Sequence, residues 1–296
     1  MSSAGARLRS VLAQPGCALA IGAHDPVVAM LVERAGAPVV YVSGSGTSTT
    51  VAGFPDVGLV SFSEMLDHAR YVIAATSLPA FCDIDTGYGN ATNVARTIRE
   101  YEAIGAAGVH LEDQLAPKRC GQTMGAALVP VEEMQQKLYA AKSAQRDSDF
   151  VVIARCDARQ CEGLDALVER CRAYVAAGAD AIFPEALLDH GEFVHVREQL
   201  DVPLVIDLPE WGRTPAMGLD ELERTGFDLG IYAVSALRVA LGAVRSFISD
   251  LVEQRTQESW LERMMSRADL DELLGLPDIR EREQALASAF EVPSQR

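Results

Sequence analysis

The chain has no basic surplus, since 26 Lys and Arg residues stand against 42 Asp and Glu residues and the net charge is −16. Nucleic-acid-binding proteins need a basic face for the phosphate backbone, so the net charge argues against this class. No apolar run approaches the roughly 18–20 residues that span a bilayer, and the N-terminal segment lacks the continuous apolar stretch of a secretory signal. We therefore expect a cytoplasmic protein with no nucleic-acid or membrane partner.

The chain also lacks the cysteine pairs of a zinc site or a disulfide framework. Its six cysteines, none in a CxxC pair, are Cys17, Cys82, Cys120, Cys156, Cys161 and Cys171. In a cytosolic protein this usage predicts free thiols that mostly fill the core. No GxGxxG or P-loop spacing follows the first predicted strand, which argues against a dinucleotide-binding fold.

Eight short apolar runs alternate with amphipathic stretches and predict eight strands. Each run is rich in Val, Ile, Leu or Ala without regular polar alternation, as expected of parallel strands buried on both faces. The predicted strands cover residues 17–25, 38–46, 79–87, 109–114, 150–158, 180–186, 203–210 and 228–236. Eight β/α alternations favour an α/β fold of the (β/α)₈ TIM-barrel type over an open doubly wound sheet.

After Leu237 the pattern is helical to the end of the chain. We expect residues 237–256 to close the barrel and two further helices to follow. No linker or low-complexity tract divides the sequence. We therefore predict a single domain over residues 1–296, with residues 237–296 as a helical closing and oligomerisation segment.

Charged or glycine-rich residues end nearly every predicted strand, at the side of a barrel that carries active sites. Asp83 and Asp85 lie two residues apart, so on a strand they point to the same side. Two such carboxylates repel unless a cation lies between them, and Glu112 adds a third at the next strand end. All-oxygen ligation favours Mg²⁺, with Mn²⁺ as the alternative ion. The other interpretation is that the aspartates cap the following helix.

The segment PKRCGQ (117–122) places the Cys120 thiol beside Lys118 and Arg119. Neighbouring cations lower the pKa of a thiol and favour the reactive thiolate. We therefore expect Cys120 to be the cysteine with a catalytic environment. Without other context, a single cysteine in a basic loop is more often incidental.

Several strand ends offer groups that bind anions. Arg155 ends the fifth strand, where a buried guanidinium needs a carboxylate or phosphate partner. Ser43, Gly44 and Ser45 offer N–H and hydroxyl donors to an anionic oxygen. These positions predict a binding site for a small acid.

Two glutamates end the sixth and seventh strands. Glu185 would organise Arg or Lys side chains. Glu210 either recognises a substrate or is a structural salt-bridge partner, and the sequence does not decide between these roles.

Seven segments together resemble the isocitrate lyase / phosphoenolpyruvate mutase superfamily. They are SGSGTSTTVAGFPDVG, DIDTGYGN, GVHLEDQ, PKRCGQ, ARCDAR, AGADAIFPEA and EWGRTP, and the likeness covers most of residues 10–255. Each segment alone is modest evidence, whereas all seven in order at predicted strand ends are strong evidence. Within the superfamily the chain is most similar to 2-methylisocitrate lyases and related alkylmalate lyases.

The resemblance implies a barrel enzyme acting on a small 2-oxo or 2-hydroxy carboxylic acid. It implies a homotetramer, built as a dimer of dimers, in which the C-terminal helix exchanges between subunits. It also implies Mg²⁺ held directly by Asp85, with Asp56, Asp83 and Glu112 acting mostly through water.

The resemblance further implies roles for individual side chains. Arg155 and residues 43–45 would hold the 2-oxo acid moiety as pyruvate or its enolate, and Cys120 would protonate the enolate carbon from a closing loop. The implied catalytic residues are Cys120, Arg155, Lys118 and Glu112, and the implied substrate-binding residues are Ser43, Gly44, Ser45, Arg155, Gly121, Gln122, Glu185, Asp207 and Glu210.

Two positions depart from the pattern of these lyases. Gln122 stands where a His is usual, and it cannot carry charge or shuttle a proton. Asp207 stands where an Asn is usual, which adds negative charge near a substrate carboxylate unless Arg213 or protonation compensates. The lyase machinery is retained, while the preference for a tricarboxylic acid is in doubt.

Three functions follow as hypotheses. The first is retro-aldol cleavage of a 2-methylisocitrate- or 2-alkylmalate-like acid to pyruvate or another 2-oxo acid plus a second carboxylic acid, which Cys120 favours. The second is phosphorus–carbon bond formation of the carboxyphosphonoenolpyruvate mutase kind, a group that also keeps KRCG. The third is a barrel that binds a metabolite without turnover, for which Gln122 and Asp207 are the only support.

Overall fold

The computed structural model describes residues 2–122 and 125–289. Its strands are β1 (Ala18–Gly22), β2 (Val39–Val42), β3 (Ala80–Asp83), β4 (Gly108–Glu112), β5 (Val151–Cys156), β6 (Ala181–Pro184), β7 (Val205–Asp207) and β8 (Leu229–Tyr232). All pair in parallel, in the order β6-β5-β4-β3-β2-β1-β8-β7. A parallel bridge between Ile182 and Leu204 joins the two ends of this sheet. The predicted eight-stranded (β/α)₈ barrel is confirmed.

Helices follow the strands around the barrel and continue to the end of the described chain. They are α1 (Ala4–Leu12), α2 (Pro26–Arg34), α3 (Gly44–Thr47), α4 (Phe62–Ala74), α5 (Ala91–Ala103), α6 (Val131–Ala144), α7 (Ala158–Cys161), α8 (Leu164–Ala176), α9 (His190–Gln199), α10 (Leu219–Thr225), α11 (Ser235–Gln254), α12 (Arg267–Leu273) and α13 (Leu276–Ala289). A π-helical turn covers Ser48–Ala52 and a 3₁₀ helix covers Glu258–Arg263. Within the described residues, no helix is long and apolar enough to cross a membrane.

Seven of the eight predicted strands contain an observed strand, and β4 begins one residue before its predicted range; every observed strand is shorter than predicted. The run 38–46 was too long because Ser43 leaves the ladder and caps α3, its Oγ accepting a hydrogen bond from the Gly46 N–H at 3.1 Å. The run 79–87 was too long because β3 ends at Asp83, and Asp85 adopts a φ of +47°. Polar residues at the strand ends form hydrogen bonds with side chains and turn residues, and not with the backbone of neighbouring strands. The β-ladder therefore ends before them.

Aromatic rings from four strands pack inside the barrel below the polar strand ends. The Tyr41 ring lies 4.9 Å from Phe81 and 5.6 Å from His110, and His110 lies 5.6 Å from Phe183. All four residues are buried. Large rings fill the barrel interior, so the polar groups above them rest on a rigid apolar layer.

The chain divides into two compact units, Met1–Val239 and Ala240–Arg296. In the second unit the buried Trp260 ring packs edge-on against Phe247 at 5.6 Å and carries the Arg263 guanidinium at 3.7 Å. Its indole N–H donates to Asp250 at 2.8 Å, which satisfies the polar atom of the ring. The single domain over 1–296 and the exchange of the C-terminal helix stay predictions.

The N-terminus of α4 provides a test of the local folding code. The N–H of Glu64 donates to the Ser61 hydroxyl, and the Glu64 carboxylate accepts from the Ser61 N–H at 2.8 Å, which is a capping box. We expect Ser61→Ala to lower the free energy of unfolding by about 1 kcal/mol, because an orphan N–H loses its acceptor. Urea unfolding measures this change. Ser63→Ala, on the exposed first turn of the same helix, should leave the urea midpoint unchanged or slightly higher, and an equal loss in both variants would contradict the capping argument.

Candidate active site

The C-terminal ends of the strands surround a cavity of about 220 Å³. Most of the predicted site residues line it: Ser43, Ser45, Asp56, Asp83, Cys120, Gly121, Gln122, Arg155, Glu185, Asp207 and Glu210. The other predicted residues, Gly44, Asp85, Glu112 and Lys118, each contact a residue of this wall. The structure therefore brings all the predicted residues to one end of the barrel.

Asp83 is held as a carboxylate by protein donors. It accepts hydrogen bonds from the N–H groups of Asp85 at 2.9 Å and Gly44 at 3.2 Å. Although burial opposes ionisation, the neighbouring His110, Lys118 and Arg155 side chains and the Asp85 N–H hold the pKa of Asp83 below its usual value. The neighbouring His110 is neutral, because burial lowers its pKa to about 4.

Asp85 does not stand beside Asp83 on one face of a strand, so that part of the prediction was wrong. Its carboxylate instead meets the buried Lys118 ammonium at 3.0 Å, and Lys118 also pairs with Asp56. Burial raises the pKa of Asp85 to about 6, although the charge of Lys118 opposes the shift. Neither aspartate caps the following helix, because Asn90 caps α5.

Glu112 is the strongest local indication of a cation. Its side chain is fully buried, and neither carboxylate oxygen has a hydrogen-bond partner among the described residues. The nearest cation is Arg155, whose Nε lies 3.5 Å away, and burial raises the pKa of Glu112 well above its usual value. A buried carboxylate without donors is costly, and a hydrated hard cation would satisfy it.

Side chains alone do not form a closed metal cage here. Among residues 2–122 and 125–289, no three His, Cys, Asp or Glu side chains lie close enough together to hold an ion. The donor set is nevertheless all oxygen and acidic. It fits an ion such as Mg²⁺, which keeps several waters and takes few direct protein ligands.

Arg155 is fixed before any substrate arrives. Its Nε and Nη2 donate to the two oxygens of Asp157 at 3.0 and 2.9 Å, and its guanidinium lies 5.3 Å from the centre of the Phe183 ring. Gly121 lies against this pair so closely that an added Cβ would come within 2.0 Å of Arg155 Nη2. Only glycine therefore lets the loop of residues 117–122 approach the guanidinium.

Gln114 ties the same loop to Arg155 through Asp157. Its Oε1 accepts from the Arg119 N–H at 2.8 Å, and its Nε2 donates to the Arg119 carbonyl at 2.9 Å and to Asp157 at 3.1 Å. Gln114 is fully buried. One amide thus links the segment that carries Cys120 to the carboxylate that holds Arg155.

The expected lowering of the Cys120 pKa was wrong. The thiol is half-buried, and burial raises its pKa above the usual value while the Gln122 N–H and Arg155 oppose the shift. The adjacent Lys118 does not serve the thiol, because its ammonium pairs with Asp56 and Asp85. Cys120 is therefore a protonated thiol at neutral pH, the form that a proton donor requires. All six cysteines are free, with Cys161 exposed outside the cavity.

Residues 43–45 present fewer free donors than their composition suggests. The Gly44 N–H already donates to Asp83, while the Ser43 hydroxyl oxygen accepts from the Gly46 N–H and so caps the following helix. A Cβ on Gly44 would lie 2.6 Å from Asp83 Oδ2, so the glycine is needed for this approach. Ser45 is half-buried on the cavity wall. The segment chiefly positions the carboxylate end of the site.

Both polar atoms of the Gln122 side-chain amide are hydrogen-bonded to protein groups. Its Nε2 donates to Glu185 at 2.5 Å and to the Thr214 hydroxyl at 3.4 Å. Its Oε1 accepts from the N–H groups of Arg213 at 2.7 Å and Thr214 at 3.3 Å. The amide joins three loops, which a His could not do with one donor and one acceptor.

Asp207 and Glu210 differ in how the charge of the carboxyl group is avoided or compensated. Burial and the nearby Glu185 raise the pKa of Asp207 to about 8, so the carboxyl is protonated at neutral pH. Glu210 accepts from the Ser235 hydroxyl and pairs with Arg238 at 3.1 Å. Glu210 was expected either to recognise a substrate or to form a structural salt bridge. The structure shows the salt bridge with Arg238, and the Glu210 side chain also lines the cavity.

Sequence reasoning missed several residues that build the site. They are Tyr41, His110, Gln114, Asp157, Thr214, Trp211 and Arg238. Asp157 follows Arg155 by two residues and Gln114 follows Glu112 by two, so the spacing offered a signal for both. His110 and Tyr41 stand within apolar runs, and nothing in the sequence separates them from core residues. Their side chains join at 2.8 Å beneath Asp83.

Comparison with known proteins decides the family. Residues 8–252 match the phosphoenolpyruvate phosphomutase family. The chain belongs to this family. A probable 2-methylisocitrate lyase of Corynebacterium glutamicum is 42% identical over 271 residues, which cover 91% of this chain and 88% of that protein.

Solved structures of the family share the fold over nearly the whole chain. A 2,3-dimethylmalate lyase, a member of the PEP mutase/isocitrate lyase superfamily, superposes with a TM-score of 0.91 at 32% identity and covers 100% of both chains. A phosphonopyruvate hydrolase in complex with oxalate and Mg²⁺ gives a TM-score of 0.85 at 32% identity and covers 98% of this chain and 99% of that one. The predicted superfamily is confirmed, and so is the prediction of a carbon–carbon lyase within it.

The link between Gln114 and the Cys120 loop is testable in this family member. We expect Gln114→Leu to loosen residues 117–122, because Asp157 and the Arg119 backbone lose their buried partners. Alkylation of Cys120 by iodoacetamide, followed by peptide mass spectrometry, should become several-fold faster. Gln160→Leu is the matched control, since the Gln160 amide has no hydrogen-bond partner among the described residues. An unchanged Cys120 rate in Gln114→Leu would contradict the link.

The raised pKa of Asp207 predicts a pH-dependent stability difference. The unfolded carboxyl ionises near its ordinary pKa, whereas the folded one keeps its proton until about pH 8. Rising pH therefore favours the unfolded wild type across this window, and an Asn side chain removes the effect. We expect the stability of Asp207→Asn relative to wild type to increase from about pH 4 to pH 8 and then level off. Urea midpoints at five pH values measure this, and a flat difference would refute the assignment.

Proposed function

We propose that this chain is a Mg²⁺-dependent lyase that cleaves a 2-methylisocitrate- or 2-alkylmalate-like acid to pyruvate or another 2-oxo acid plus a second carboxylic acid. The observation that carries the proposal is the convergence of acidic residues, the Arg155 guanidinium and the Cys120 thiol on one cavity. The names of the relatives, 2-methylisocitrate lyase and 2,3-dimethylmalate lyase, support the same reaction class. The cavity has the acidic residues, the guanidinium and the thiol that the reaction needs, which argues against a barrel that only binds a metabolite.

The proposed cofactor is Mg²⁺, with Mn²⁺ as the alternative. Asp85 would hold it directly, and Asp56, Asp83 and Glu112 would act mostly through water. The unpartnered oxygens of Glu112 and the Mg²⁺ in the related phosphonopyruvate hydrolase support this. When bound, the ion would supply positive charge to the oxygens of the 2-hydroxy acid moiety.

Cleavage breaks the bond between the hydroxyl-bearing C2 and C3. The hydroxyl proton passes to a carboxylate of Asp56, Asp83 or Asp85, which we name the acidic group. The C2 oxygen becomes the 2-oxo oxygen, and the electron pair of the broken bond stays on C3. Arg155 would bind the carboxylate beside C2 and stabilise charge there. Electron balance thus puts the carbanion on the second acid, and not on pyruvate as the resemblance suggested.

Cys120 would supply the proton that C3 needs. Its raised pKa keeps the thiol protonated at neutral pH, and it lies on the cavity wall. After proton transfer the thiolate regains a proton from solvent, and the carboxylate that accepted the hydroxyl proton releases it to solvent, so the enzyme returns to its starting state. Glu112 and Lys118 would act by holding the charges of the acidic group in place.

A phosphorus–carbon bond-forming reaction is the second candidate. It is favoured by the match to the phosphoenolpyruvate phosphomutase family. ³¹P NMR of the enzyme with phosphoenolpyruvate-type substrates would reveal new phosphonate signals if this reaction occurred. The homotetramer with exchanged C-terminal helices and the cytoplasmic location belong to the proposal as well.

The proposal predicts metal- and thiol-dependent release of a 2-oxo acid. A panel of 2-alkylmalates, 2-methylisocitrate and isocitrate is assayed for pyruvate or glyoxylate release, with EDTA abolishing turnover and Mg²⁺ restoring it. Cys120→Ser should lower kcat about 10²–10⁴-fold, the usual loss of a general acid. Cys161→Ser, the exposed thiol outside the cavity, is the control.

Mg²⁺ alone should also raise the melting temperature of the wild type, and Asp85→Asn should reduce that shift. Near-normal turnover by Cys120→Ser would remove the proton-donor role. Cleavage that persists after chelation would remove the metal from the proposal.

A further inference from the structure

Part of the cavity wall is formed by Gln122, Glu185, Asp207, Glu210 and Arg238, which we name the distal wall. All but Gln122 come from β7 or from the segments that follow β6, β7 and β8, and β7 is four strands from β3, whose end carries Asp83 and Asp85. In the proposed reaction, the acidic group and Arg155 hold the 2-oxo acid half of the substrate. The distal wall would then meet the second fragment. Its charges and free hydrogen-bonding atoms determine how many carboxylates that fragment carries.

The distal wall offers no free amide donor. The Gln122 Nε2 donates to Glu185 at 2.5 Å and to Thr214 at 3.4 Å. Both N–H bonds of this group are therefore used within the protein. A substrate carboxylate at Gln122 would have to displace one of these contacts, and the buried Glu185 would lose its donor.

The distal wall contains more acids than bases. Glu185 Oε2 and Asp207 Oδ1 are buried oxygens without a hydrogen-bond partner among the described residues. Glu210 adds a third carboxyl group to the same cavity. These oxygens would repel a further anion strongly, because like charges are poorly screened in a low-dielectric site.

The cations that line the cavity already have carboxylate partners. Arg155 gives Nε and Nη2 to Asp157, and Arg238 donates to the Glu210 carboxylate at 3.1 Å and to the Glu210 carbonyl at 2.7 Å. The Arg238 side chain is 43% exposed and stacks on Trp211 at the rim. It is placed to meet one carboxylate at the cavity mouth. Among the described residues that line the cavity, Arg155 is the only other cation, so a second carboxylate at the distal wall would meet mainly acids.

We infer that the distal wall selects a dicarboxylic 2-alkylmalate-type substrate over a tricarboxylic acid of the methylisocitrate type, with Gln122 and Asp207 as the specificity-determining residues. The inference rests on the proposed lyase function and narrows its substrate class. The fragment that leaves with C3 carries one carboxylate, and its remaining atoms are apolar or donate hydrogen bonds to Glu185 and Asp207.

The test compares kcat/KM for 2,3-dimethylmalate and 2-methylisocitrate, measured as Mg²⁺-dependent pyruvate release by the full chain. We expect the dicarboxylic acid to be preferred about tenfold or more, since a site that leaves buried polar groups unpaired rejects the wrong substrate strongly. The double variant Gln122→His/Asp207→Asn restores a side chain that can carry positive charge and removes an acid. It should shift the ratio about tenfold toward the tricarboxylic acid, mainly through a lower KM for that acid.

A matched control separates local effects from net charge. Asp201→Asn makes the same Asp-to-Asn substitution at an exposed residue before β7, where it removes a negative charge from the protein surface, and it should leave the ratio as in wild type. Circular dichroism and melting temperature establish that each variant is folded. If the double variant does not fold, the wild-type ratio still decides the substrate class.

The outcomes distinguish this inference from the function beneath it. Equal or better cleavage of 2-methylisocitrate by the wild type overturns the inference and leaves the lyase function standing. A folded double variant with an unchanged ratio overturns the assignment to Gln122 and Asp207. No cleavage of either acid overturns the proposed function and the inference together.

Discussion

The pairing of Arg155 with Asp157 is the interaction on which the site depends. Both oxygens of Asp157 accept from the guanidinium, and Asp157 is itself held by the amide of Gln114. Its backbone N–H donates to the buried Asp113, which also accepts from the Tyr174 hydroxyl. A guanidinium fixed in this way at a barrel mouth has little conformational entropy to lose on binding an acid. The loop that carries Cys120 is ordered by the same contacts, so the proton donor and the anion-binding group are positioned together.

The second constraint is the number of acids that the strand ends bring into one low-dielectric region. Near β3 and β4 the protein satisfies them with Lys118 and backbone N–H groups, and it leaves Glu112 without donors. Near β6 and β7 the cavity-lining Arg238 is paired with Glu210, and Asp207 keeps its proton. The cost of burying several acids is therefore offset by positive charge at one end of the cavity and by protonation at the other. That difference gives the cavity a cation-seeking end and an end that rejects additional anions.

The fold could be predicted from periodicity, whereas the membership of the site came partly from the polar strand ends and partly from the family resemblance, which supplied Asp56, Gly121, Gln122 and Asp207. Apolar runs fix the strands, and the barrel rule places their polar ends together. Side-chain partners could not be predicted. Lys118 stands next to Cys120 in sequence but faces Asp56 and Asp85, and Gln122 bonds to groups 63 and 92 residues away. Such contacts depend on loop paths that no local pattern encodes. The predicted lowering of the Cys120 pKa was wrong for this reason, because Lys118, a neighbour in sequence, was taken for a neighbour in space.

The two departures from the lyase pattern are unequal in their physical effect. A protonated Asp207 has the same charge as an Asn and keeps one donor, so below about pH 8 it changes hydrogen bonding more than electrostatics. Gln122 removes a group that could become cationic and spends its amide on Glu185, Thr214 and Arg213. The electrostatic change at the distal wall therefore comes chiefly from Gln122. Asp207 adds to this effect. Its carboxyl must stay protonated beside Glu185, so it tolerates a neutral part of the substrate better than another anion.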